Sequence, residues 1–171
     1  MTQHPAVIST ERRTGMVLTI SGSVLLLLLL LWVAFMVLLP PAKNLNAQLA
    51  QLARSSTLYQ ITFLNASLIS IPLTLILIQL LMLRETLFNL TGAAGCLFLA
   101  PYVLLVSIAY TSQYTLFPGL LESMYPGDVA AVRQWFFYDE NSIAFFLDLL
   151  GYTFFGIAAL FIGRAVMIGE G

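Results

Sequence analysis

Histidine, cysteine and charge are the scarce commodities of this 171-residue chain, and each shortage closes off a class of chemistry. His4 and Cys96 are the single histidine and the single cysteine. An intrachain disulfide needs two cysteines, and a Cys/His metal site needs more ligands than these two supply. A serine nucleophile would have no histidine base nearby. Cys96 sits inside an apolar run, where a free thiol behaves as a small hydrophobe. Charged residues are 9% of the chain, against about 25% in soluble domains. With a net charge of −1 there is no basic footprint for nucleic acid. Walker, GxGxxG, HExxH and GxSxG patterns are all missing. Only one carboxylate, Asp148, lies well inside an apolar run, so a catalytic carboxylate pair is not available either. The expectation is a protein that is not an enzyme and has no cofactor and no metal.

What is present is apolar. Hydrophobic residues make up 60% of the chain and the mean hydropathy is +0.93. A membrane-spanning helix needs about 20 mainly apolar residues, and four stretches qualify, at about 16–39, 59–83, 87–111 and 143–168. The first contains the leucine run Leu25 to Leu31 and stops at Pro40-Pro41. Arg12 and Arg13 precede it as they would a signal peptide. Its apolar core is too long for one, however, and no small-x-small cleavage site follows, so an uncleaved anchor fits better. Backbone groups in hydrocarbon must be paired within the segment, and none of the four alternates as a barrel strand would. Pro72 and Pro101 remove hydrogen bonds inside the second and third stretches and should bend them. No internal repeat relates the two halves.

The predicted fold is therefore an all-α integral membrane protein. It is a four-transmembrane-helix bundle with short interfacial helices in its two outer loops, 40–58 and 112–142. Residues 1–15 form an N-terminal tail and residues 16–171 a single transmembrane domain. Basic residues flanking the helices set the orientation. Arg12, Arg13, Arg84 and Arg164 fall on one side, and Lys43, Arg54 and Arg133 on the other. This places both termini in the cytoplasm, in a multi-pass protein of the inner or plasma membrane. The tail after the fourth stretch is short, which is compatible with a longer protein carrying further helices.

Both outer loops carry a pattern. Leu45, Leu49 and Leu52 recur at helical spacing between polar residues, the mark of a short amphipathic helix. Such a helix lies either on the membrane surface or against the end of the bundle. The second loop is aromatic, with Tyr114, Phe117, Tyr125, Trp135, Phe136, Phe137 and Tyr138, side chains that settle at headgroup level. Pro126-Gly127 signals a turn, and Asp128 is placed to cap a helix over 129–138.

Asp148 is the residue that needs an explanation. A carboxylate at a helix centre costs about 2.5–3.5 kcal/mol on insertion scales, and less near an end. At about 100° per residue, Tyr152, Gly156, Ala159 and Gly163 share its side of the helix. Small residues on one stripe mark a helix-packing face, so Gly156, Ala159 and Gly163 are predicted to pack and Asp148 to point into the bundle. Ser107, Tyr110, Thr111 and Gln113, at the outer end of the third stretch, are level with it, and Arg133 in the second loop is the only cation within reach. The set Asp148, Tyr152, Tyr110, Gln113 and Arg133 is accordingly either a polar site that handles protons or cations, or a structural network. Asn65 and the hydroxyl residues around it read as interhelical glue.

Three functions fit these features. The first is a structural or accessory membrane subunit acting through helix packing, in a homo-oligomer or with another membrane protein. The second is a small transport or permeation protein using Asp148. The third is binding of a lipid or hydrophobic ligand through the aromatic 112–142 loop. The partners expected are the lipid bilayer and a membrane protein, not nucleic acid.

Overall fold

The structure, a computed structural model, describes residues 5–39, 44–83, 89–123 and 129–168. These residues contain helices and no strands, in the order α1 (Pro5–Leu38), α2 (Leu45–Arg54), α3 (Thr57–Leu83), α4 (Leu90–Glu122), α5 (Ala130–Trp135) and α6 (Ile143–Ile168). Four of them are long and apolar enough to cross a membrane, over Arg13–Leu38, Thr57–Leu83, Leu90–Glu122 and Ile143–Met167.

Helix starts follow local chemistry. Pro5 opens α1, where a missing N–H costs nothing, and the helix runs on through much of the expected tail. Asn44 caps α2 by accepting from the Ala47 N–H at 2.9 Å, and Asn89 caps α4 by accepting from the Gly92 N–H at 2.7 Å. Ser142 caps α6, its Oγ accepting from the Phe145 N–H at 3.0 Å.

The largest departure from the sequence reading is α4. It does not stop at 111 but continues to Glu122, a helix of 33 residues and about 50 Å. Gln113, Phe117 and Leu121, four residues apart, keep one face of this extension buried. Burial of that stripe, with Pro118 accommodated inside the helix, holds the chain helical where its polar residues suggested an exit. Conversely α5 is shorter than the predicted 129–138. Phe136 leaves the helix with extended backbone, and the N-cap residue is Val129, which makes no side-chain cap bond. Asp128, Tyr125 and the Pro126-Gly127 turn lie outside the described residues, as do Pro40-Pro41. From Phe136 the chain descends by successive turns, Asp139 N–H to Phe136 O at 3.1 Å and Ser142 N–H to Asp139 O at 2.9 Å. Of the two placements open to α2, the structure has it folded back against the end of the long helices, with Leu49 and Leu52 buried.

The α4–α6 pair is the principal interface, α3 packs on α4, and α1 packs along α3. α1 makes no comparable contact with α4 or α6, and only 6% of its most apolar window is buried. One bond ties its middle to α3, from Asn65 Nδ2 to the Leu28 carbonyl at 2.9 Å, as expected of an interhelical amide.

Small residues do bring α4 and α6 together, but not the ones the sequence singled out. Gly151, Ala158 and Ala165 are buried together with Ile162. Gly156 is exposed, and neither it nor Gly163 has an atom within 4 Å of where a Cβ would stand. Within this chain, the predicted face of Gly156, Ala159 and Gly163 is thus turned away from the contact by one residue step, about 100°. The helix carries two small-residue stripes, and the Gly151–Ala158–Ala165 stripe is the one that meets α4.

A Cβ on Gly95 would stand 2.5 Å from Ile162 Cγ1, and one on Gly151 2.6 Å from Val106 Cγ2. Gly95→Ala and Gly151→Ala should each destabilise the protein by about 1 kcal/mol or more, overpacking outweighing the gain in helix propensity. Gly156→Ala, which meets nothing, should be neutral or stabilising. Thermal melts of the purified variants in one detergent check the opposite signs.

Candidate functional site

Two polar arrangements emerge at the end of the molecule where α1 stops and α6 starts. The first is centred on Gln113, whose side chain is fully buried. Its Oε1 accepts from the Tyr59 hydroxyl at 2.6 Å and from the Phe137 N–H at 3.2 Å. Its Nε2 donates to the carbonyls of Trp135, at 2.9 Å, and Ala109, at 3.1 Å, and to Ser112 Oγ at 2.8 Å. One amide therefore joins α3, α4 and the segment after α5. Around it the rings of Tyr59, Phe63, Phe117, Phe136, Phe137 and Tyr138 form a continuous cluster, with centroids 4.7 to 6.1 Å apart for the contacts of Tyr59. The Tyr138 hydroxyl donates to Met36 Sδ at 3.0 Å and so fastens the cluster to α1. Burial pushes the Tyr138 pKa up to about 12, which keeps the hydroxyl a neutral donor near neutral pH.

Arg133 belongs to this cap and not to Asp148. Its Nε donates to Asp139 Oδ2 at 2.9 Å, and Asp139 Oδ1 accepts from the Asn141 N–H at 3.1 Å. Burial by itself would raise the Asp139 carboxyl. The Asn141 N–H and the Arg133 guanidinium outweigh it and hold the carboxyl below the usual carboxylate range.

The second arrangement is a crevice of about 300 Å³ between α1 and α6. Leu29 and Trp32 line it from α1, Ala66 and Ile69 from α3, and Asp148 and Tyr152 from α6, with Tyr110 and Phe137 at its back. The Tyr110 hydroxyl is within interaction range of both Asp148 and Tyr152, and Tyr152 in turn of Tyr102. Asp148 Oδ1 is buried and has no hydrogen-bond partner.

Of the five residues proposed as one polar site, the structure brings together Asp148, Tyr110 and Tyr152. It separates Gln113 and Arg133 from them: Gln113 spends its hydrogen bonds on the cap, and Arg133 pairs with Asp139. Trp32 is a crevice residue that the sequence did not suggest, and Phe137 comes to the crevice from the aromatic loop. The depth argument could not reach across to α1, whose faces look alike. Among the described residues no three His, Cys, Asp or Glu side chains lie close enough together to hold a metal ion.

Comparison with known proteins yields no relative: no family model, no curated protein and no solved structure matches the chain.

Gln113→Leu strands the Tyr59 hydroxyl, the Phe137 N–H and the Trp135 carbonyl. It should cost about 3 kcal/mol or more, against about 1 kcal/mol for Tyr59→Phe, since each buried orphan costs about 1–3 kcal/mol. Denaturant titration in detergent micelles measures both. Asp139 generates a pH dependence. A carboxyl held low in the folded state adds stability above its unfolded value, near 4, and loses it as pH falls through the folded value. The advantage of wild type over Asp139→Asn should be full above about pH 5 and disappear on further acidification, as melts at neutral and acidic pH would show.

Proposed function

We propose that this chain is a multi-pass protein of the cell membrane, with both termini in the cytoplasm. It acts as an accessory subunit that receives a transmembrane helix of a partner in the groove between α1 and α6. The observation that carries the reading is the Asp148 carboxylate oxygen, buried without a partner in a crevice between two helices that do not pack on each other. A buried acceptor left unpaired costs about 1–3 kcal/mol. A donor brought by a second protein removes that cost, and the cost is what makes the interaction selective.

Two features support a helix as the occupant. Gly156 and Gly163 lie on the Asp148 side of α6, and their Cβ positions face open space, so a partner backbone has room to approach closely. α1 is anchored mainly through α3, so the groove is not closed from its other side. A second reading is favoured by the size of the crevice alone: about 300 Å³ is the lower end of small-ligand sites, and a hydrophobic molecule bearing one donor would fit it.

Gly156→Leu and Gly163→Leu should leave the stability of the isolated chain within about 0.5 kcal/mol, because nothing stands near either position. The same substitutions, and Asp148→Asn, should weaken association in native membranes by about tenfold or more, a loss of about 1.4 kcal/mol. Native electrophoresis of gently solubilised membranes, followed by Gly156→Cys crosslinking in a Cys96→Ser background, reads the complex and tells a second copy from another protein. A wild-type chain that is monomeric under every condition would rule the subunit reading out. Stabilisation by small amphiphiles that depends on Asp148 would then favour the ligand.

A further inference from the structure

A separate pocket of about 310 Å³ opens where α1 ends and α2 folds back. Gln48, Gln51 and Ser55 face it from α2 and its C-terminal end, Leu38 and Leu39 from the end of α1, and Tyr138 from the cap. It is distinct from the Asp148 crevice and shares no residue with it. The Tyr138–Met36 hydrogen bond lies between the two along α1.

Its chemistry is specific in three respects. None of the described lining residues is charged, so none of them would offset the desolvation of an ionic headgroup. Gln48 and Gln51 stand three residues apart on one helix face, each offering an N–H₂ donor and a carbonyl acceptor. Their side chains and that of Ser55 form no hydrogen bond with another described residue, which leaves all three free for a ligand. The opposite wall is leucine and tyrosine, suited to the C–H faces of a ring or to the first carbons of a chain. A ligand with adjacent hydroxyls, each donating and accepting, matches paired carboxamides, whereas a phosphate, with acceptors only, would leave their carbonyls unmatched.

We propose that this pocket binds an uncharged, hydroxyl-rich group, the sugar headgroup of a glycolipid. The inference rests on the membrane placement proposed above, since the pocket lies at the end of the apolar spans, but not on the partner-helix reading.

The test is lipid retention. The full chain is placed in phosphatidylcholine nanodiscs containing a minor fraction of monoglucosyl diacylglycerol, and bound lipid is counted by native mass spectrometry. Wild type should retain the glucosyl lipid over phosphatidylcholine by about tenfold, the worth of two net hydrogen bonds. Gln48→Leu/Gln51→Leu should abolish the preference. Gln51→Glu, which keeps the side-chain shape but replaces the donor, should reduce it, and serves if the double variant fails to fold. Asp148→Asn and Gly156→Leu should leave it unchanged, which separates failure here from failure of the subunit reading. Competition by methyl glucoside would assign recognition to the sugar alone; lack of competition would assign it to the lipid-borne headgroup. Equal retention of the two lipids, or a preference that survives Gln51→Glu and the double variant, would overturn the proposal.

Discussion

The capped end of this molecule depends on a single carboxamide. Gln113 accepts from Tyr59 and Phe137 through its oxygen and donates to Trp135, Ala109 and Ser112 through its nitrogen. In a buried setting these bonds cannot be exchanged for water, so leaving any one unmade costs more than making it gains. The consequence is geometric. Tyr59 fixes the start of α3, and the backbone of Trp135 and Phe137 is held over the last turns of α4. The aromatic cluster then has one arrangement and not several.

The same logic explains what the sequence revealed and what it concealed. The four long helices were legible because length and apolarity are sums over a segment and survive ignorance of what each face meets. Of the four boundaries nearest the cap, the end of α4 was the exception: read at 111, it lies at Glu122, whereas the end of α1 and the starts of α3 and α6 fall within two residues of their expected places. Polar residues at 111–115 look like an exit from hydrocarbon, yet α4 continues because Gln113 and Phe117 are buried by elements distant in sequence. Which face of a helix packs was not legible at all where both faces are apolar. On α6 two stripes of small residues compete, and only the complementary shape of Val106 and of Gly95 on α4 selects Gly151 and Ala158. That selection is a property of the pair, absent from either helix alone.

Arg133 shows a related failure. As the one cation of its loop it was set against Asp148, the carboxylate most in need of charge. The structure pairs it with Asp139, six residues on, through the turns that follow α5. A local partner reached through a turn is cheaper to order than a distant one, since less chain entropy is lost in closing the loop. Tyr110 and Tyr152, by contrast, were legible as neighbours of Asp148, because helix periodicity and depth suffice to place them.

Released from Arg133 and Gln113, Asp148 is left with two tyrosines and one unpaired oxygen. An acidic residue in this position is a poor choice for stability alone. If holding helices together were its whole role, an asparagine or serine would do so without the cost of burying a charge. The chain already uses that cheaper device at Asn65, whose amide bonds the Leu28 carbonyl and ties α1 to α3. An acid placed where an amide would serve, on the rim of a groove that α1 does not close, is explained when its partner arrives from outside the chain. On the proposed subunit reading, the exposed Gly156 and the open space beside Gly163 would serve the same end, leaving room for a second helix to come within reach of that oxygen.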